Sequence, residues 1–105
     1  MSYKILKFAR LSALVFALVF TACAGVPVQE MSNARQAVAA ARQVGAEHAA
    51  AKQMANAEQL LRTAQAALDQ GNYGTARADA IRARDAAVQA LRITQEQTSG
   101  GPVPP

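Results

Sequence analysis

At 105 residues and a net charge of +4, the chain holds one domain at most. Aromatics make up 5% of it and Trp is absent; with alanine so abundant, this composition suits closely approaching helices and excludes a wide core or a deep substrate pocket. Lys4, Lys7 and Arg10 all precede an apolar run that carries no acid, so eight of the eleven basic residues face the seven acidic ones in the rest of the chain. That near-neutral remainder removes the electrostatic case for a nucleic-acid partner.

The first element is an export segment. A short basic stretch ends at Arg10, and Leu11, Ala13, Leu14, Val15, Phe16, Ala17, Leu18, Val19 and Phe20 follow as an apolar run. The run is shorter than the roughly 20 residues a spanning helix needs, and it fits the core of a signal peptide. It closes on Phe20-Thr21-Ala22-Cys23, which resembles the lipobox of bacterial lipoproteins, with Phe20 where leucine is usual. The resemblance implies cleavage between Ala22 and Cys23, and diacylglycerol plus an amino-terminal acyl chain on Cys23. Several chains on one residue anchor stably where one chain binds only marginally. The alternatives are ordinary cleavage in the small-x-small sequence Ala22-Cys23-Ala24, which gives a soluble periplasmic protein, and an uncleaved single-pass anchor. Ala24 after the cysteine, where Asp would retain the protein at the inner membrane, resembles the signal for the outer membrane of a Gram-negative envelope. Cys23 is the sole cysteine, so the chain has no internal disulfide and no multi-cysteine metal site.

Residues 23–32 read as a lipidated tether without helical period. Asn33 then offers an N-cap with Gln36 at capping-box spacing, and Ala37, Val38, Ala41 and Val44 recur at helical intervals. Gly45 interrupts this pattern and predicts a break between Gly45 and Ala50. A second helix is expected over about 50–70, where Met54, Ala57, Leu61, Ala64 and Leu68 repeat with 3,4 spacing and Leu60 and Ala67 widen the stripe. Gly71-Asn72 suits a tight hairpin, with Gly71 left-handed and Asn72 capping a third helix from Tyr73 to about Glu96. On that helix Ala76, Ala80, Ala83, Ala87 and Ala90 form an edge facing the second helix, and Ile81, Val88 and Leu91 beside it, with Met54, Leu61 and Leu68, are read as core first and as a partner groove second. Exposed pairs are expected between Glu58 and Arg62, Asp79 and Arg82, and Arg92 and Glu96. Residues 97–105 read as a disordered Gly/Pro tail. The expected fold is therefore all-α: a small, alanine-rich antiparallel helical hairpin or three-helix bundle over 33–96, after a signal peptide over 1–22.

The stretch from Ala57 through Leu68, then Gly71-Asn72-Tyr73, Ala76, Ala80 and Ala83, resembles one helical hairpin of the tetratricopeptide type, with Ala80 where that repeat carries a large aromatic. A single unit builds no solenoid groove, which takes about three. A closer resemblance, over 33–93, is to the alanine-rich envelope lipoproteins grouped as domain of unknown function 4398. It rests on Ala41 to Gly45-Ala46, on Ala57, Leu61, Ala64 and Leu68, on Gly71-Asn72 and on the ladder from Ala76 to Ala90. The sequence departs from that family at His48-Ala49-Ala50, where an aromatic and a proline are common. The resemblance implies an envelope address and a helical fold, and no reaction.

No residue set in the chain carries chemistry. His48 is the sole histidine, and Glu47 beside it points about 100° away on a helix. Asp79 and Asp85 each have arginine neighbours, and no triad, phosphate loop or zinc spacing is present, so no catalytic residue, metal, cofactor or small-molecule substrate is expected. Arg35 with Arg42, and Arg77 with Arg84, are seven apart and read as surface arginines pairing with Asp79, Asp85 or Glu47, with basic rails for peptidoglycan carboxylates or lipid phosphates as the sharper alternative. The expectation is a non-enzymatic, lipid-anchored outer-membrane lipoprotein facing the periplasm, acting as a helical interaction or scaffold module through a protein partner or a second copy. A peptidoglycan-associated structural lipoprotein, resembling the major murein lipoprotein but without its C-terminal lysine, is the alternative.

Overall fold

A computed structural model describes residues 25–100 of the chain. Among the described residues there are four helices and no strands: α1 (Val28–Gln43), the single turn α2 (Ala46–Ala49), α3 (Ala51–Asp69) and α4 (Tyr73–Ser99). The expected hairpin or bundle is a three-helix bundle. α4 is its spine and packs most extensively on α3, then on α1. The contacts fix the directions: Glu30 of α1 lies 3.4 Å from Arg77 at the start of α4, and Arg42 near the end of α1 lies 2.9 Å from Glu58 in the first half of α3. α1 and α4 therefore run parallel, and α3 runs antiparallel to both.

The first helix begins earlier than its sequence signals suggest, which corrects residues 28–32 of the expected tether and the cap at Asn33; residues 23 and 24 of that tether lie outside the described residues. Pro27, which has no N–H to leave unpaired, sits at the cap position, and the Met31 amide donates to its carbonyl at 3.0 Å. Starting there brings Met31 and Ala34 into the core, a gain that outweighs the capping-box pattern. Asn33 instead accepts from Gln29, and Gln36 donates to Ser32, as i,i+4 surface pairs.

The break falls where Gly45 predicts it. Gly45 is left-handed at φ 83°, a conformation that costs other residues roughly 1–2 kcal/mol, and its N–H returns to the carbonyl of Arg42. At the other end of α3, Gly71 (φ 78°) closes a Schellman motif: Asn72 N–H donates to Ala67 O at 2.8 Å and Gly71 N–H to Leu68 O at 3.0 Å. Asn72 occupies the cap position of α4, but its side chain makes no capping bond and donates to Gln70 instead, which corrects the role expected for it. α4 runs through Ser99, so 97–99 belong to the helix and not to a tail; residues 101–105 of that expected tail lie outside the described residues.

Alanine builds the interior. Near the hairpin turn, Met31 and Ala34 meet Ala64, Ala80 and Ala83. Toward the break, Val38, Ala41, Ala46, Ala50, Met54 and Ala57 meet Ala86, Ala87 and Ala90. The expected ladder Ala76, Ala80, Ala83, Ala87 and Ala90 is fully buried, and Leu60 and Leu61 pack against both clusters. Methyl groups at the contacts leave little side-chain volume between the helices, the condition for close axial approach.

Candidate functional site

Groups that sequence reasoning weighed for chemistry are spread over separate surfaces. His48 is exposed on the one-turn helix, while Glu47 beside it pairs with Arg42 at 3.2 Å. Arg42 joins α1, α2 and α3, because its guanidinium also meets Glu58; the hydrogen bond from Arg42 to Glu58, assisted by the charges of both carboxylates against a partial loss of solvent, raises Arg42 above its ordinary range. Asp79 sits with Arg82 at 3.4 Å, as expected, and Asp85 with Arg84 at 2.7 Å. On one helix these two carboxylates project about 120° apart, so they share no cleft. The Glu58–Arg62 pair does not form, since Glu58 is taken by Arg42 and Arg62 donates to Gln59. Nor does an Arg92–Glu96 ion pair stand among the described residues.

The two arginine sets do not form free rails. Arg35 donates to Gln65 of α3, Arg42 bridges two acids, Arg77 meets Glu30 and Arg84 meets Asp85. Among the described residues no cluster of three His, Cys, Asp or Glu could hold a metal ion.

What the structure gathers instead is apolar. Ile81 and Val88, expected in the core beside the alanine ladder, are 39% and 37% exposed, which corrects that reading. Each follows a ladder residue by one position, so each is turned about 100° away from the face that α1 and α3 cover. Seven residues apart, they stand two turns along a single line, flanked by the paired Arg84 and Asp85. Leu91, half-buried, continues the line toward the end of α4. There Val44, the exposed residue that closes α1, joins Thr94, Gln95, Thr98 and Ser99 around an open cavity of about 420 Å³. Thr94 is buried and satisfies itself by donating to the carbonyl of Ala90 at 2.8 Å. The arrangement can bury further apolar surface along α4 and offers no aligned nucleophile, base or oxyanion donor among the described residues.

Cys23 and Ala22, the expected lipidation and cleavage residues, lie outside the described residues. Among the described residues no helix is long and apolar enough to cross a membrane. Gly71, Asn72 and Tyr73 form the predicted hairpin turn, with Tyr73 as the first residue of α4. Comparison with protein-family models, with curated proteins and with solved structures finds no match for this chain.

Proposed function

We propose that this chain is a non-enzymatic lipoprotein of the outer membrane, anchored through Cys23, whose helical bundle works in the periplasm as an interaction or scaffold module. The observation that carries the interaction role is the line Ile81, Val88 and Leu91 running into the Val44 cavity. An alanine core this small buries little apolar area; Ile81 and Val88 stand outside it, and Leu91 is only partly covered at its edge. A partner helix laid along α4 would complete what the three helices leave open, in the manner of an amphipathic helix entering a groove. Separation of the titratable groups supports binding over catalysis, since Glu30, Glu47, Glu58, Asp79 and Asp85 are each engaged in a surface pair with an arginine. The anchor is supported by the sequence alone: an apolar run too short to span, ending at a lone cysteine.

Two measurements test this. Intact-mass analysis of the membrane-fraction protein and of its Cys23→Ala variant should show a mature chain starting at Cys23 with added acyl mass, lost in the variant; an unmodified chain starting at Gly25 overturns the anchor. A photoreactive amino acid placed at Val44 or Val88 in living cells should give a discrete adduct. The same probe at Ala66, exposed on α3, should give none. Equal adducts from all three positions overturn the assignment of the face.

A further inference from the structure

The described residues begin two positions after the expected anchor, and that end of the bundle has its own chemistry. Three residues of extended chain reach at most about 11 Å, so Val26 stays within that distance of Cys23. α1 and α4, being parallel, both start at this end. Their first residues are Val28, 68% exposed, and Tyr73, also exposed. Side chains in a helix lean toward its N-terminus, so both project past the end of the bundle. Val26 joins them as a third exposed apolar side chain, and Gly25 lies against the Tyr73 ring, where an added Cβ would stand 4.0 Å from Cδ2. Pro27, buried beside them, fixes how the chain enters α1.

Charge at this end is slight, a single uncompensated carboxylate on Asp69. Glu30 is paired with Arg77, and Gln29, Gln70 and Asn72 are neutral. Asp69, the remaining acid near the turn, accepts a hydrogen bond from Gln65 at 2.9 Å. Tyrosine carries an apolar ring with a wet hydroxyl, the form that settles at a headgroup boundary.

We infer that Val26, Val28 and Tyr73 form a foot that rests in the bilayer interface, so that the bundle stands end-on upon the membrane that holds Cys23. This rests on the proposed lipid anchor, because only a nearby lipid attachment brings so small an apolar patch into lasting contact with lipid. End-on standing carries the Val44 cavity about 40 Å outward along the 27 residues of α4, to the side facing away from the membrane.

The chain contains no Trp, so single reporters can be introduced at Val28, Tyr73 and Val88. Full-length protein as processed in the cell, carrying Val28→Trp, Tyr73→Trp or Val88→Trp, is placed in phosphatidylethanolamine and phosphatidylglycerol vesicles with and without brominated acyl chains. Emission from Val28→Trp and Tyr73→Trp should shift to shorter wavelength and be quenched, while Val88→Trp is unaffected. No quenching at any position overturns the foot, and quenching at all three overturns end-on standing in favour of a bundle lying flat. All three sites are exposed, and unchanged helical circular dichroism confirms that each variant is folded. If mass analysis finds a mature chain without acyl chains or starting at Gly25, the anchor fails by itself; a chain produced to begin at Cys23 is then coupled through its sole thiol to a maleimide phospholipid in the same vesicles, where the same three emission patterns decide the foot.

Discussion

Filling the alanine interior should destabilise this protein, whereas the same substitution on its surface should not. Ala83 is fully buried where α4 meets Met31, Ala34 and Ala64, so Ala83→Leu forces three further carbons between helices already at close approach. Overpacking of this kind typically costs about 1–3 kcal/mol. Ala66→Leu makes the identical chemical change at an exposed position on α3, where only intrinsic helix preference is felt, a difference of at most a few tenths of a kcal/mol. The contrast between the two variants therefore isolates packing from propensity. For a domain of this size each kcal/mol moves Tm by roughly 4–8 °C. Thermal unfolding followed by circular dichroism at constant protein concentration should place Ala83→Leu well below Ala66→Leu, which stays close to wild type. Equal melting of the two variants refutes the claim that the alanine ladder sets helix separation.

Glycines should part in opposite directions. Gly71→Ala meets no atom within 4 Å but must hold φ at 78°, so it should lose about 1–2 kcal/mol in denaturant unfolding. Gly74, inside α4 and also in open space, should gain roughly 0.5–1 kcal/mol on substitution by Ala. Met54→Ala removes the largest side chain from the cluster beside the break and should cost about 2–5 kcal/mol, read as a lowered urea midpoint. Glu58→Gln breaks a half-exposed contact to Arg42, so its cost should stay under about 1 kcal/mol and shrink at high salt. Arg42 is raised above its ordinary value, so the stability it contributes is complete below that value and is lost only as pH rises through the higher folded one. Unfolding curves compared between neutral pH and about pH 11 should therefore show no loss of the Arg42–Glu58 coupling.

The helices were legible because alanine and leucine recur at helical spacing and glycine punctuates them. Gly45 and Gly71 both take the left-handed conformation their positions announce, and the ladder from Ala76 to Ala90 is buried throughout. The start of α1 was not legible: Pro27 and Met31 lie among Val, Gln and Glu with little period, and their burial depends on α3 and α4 arriving from later in the chain. Polar partners were missed for the same reason. Glu58 has Arg62 one turn away, yet it meets Arg42, sixteen residues earlier, because α1 lies alongside α3. Ile81 and Val88 were a different case: their angle from the ladder could be read from the sequence, and apolar character alone suggested core.

Exposure of Ile81 and Val88 invites the plain explanation that a bundle of alanines is too thin to enclose them. In the middle of α4, however, the other open positions from Arg82 to Gln97 hold Arg, Gln and Glu, which favour helix, with Asp85 the one exception, whereas β-branched residues give up rotamer freedom there. Two such residues at one heptad spacing contradict the local preference of this middle stretch, and contradictions of this kind collect at working surfaces. The double variant Ile81→Ala/Val88→Ala separates the explanations. If the residues only fill space at the edge of the core, removing their half-buried methyl groups should lower Tm and leave the Val44 photo-adduct intact. If they receive a partner helix, better helix propensity offsets most of the lost contact, so Tm changes by no more than a few degrees, about 0.5 kcal/mol or less, while the Val44 adduct disappears. A stable double variant that still forms the adduct would place the partner elsewhere on the bundle.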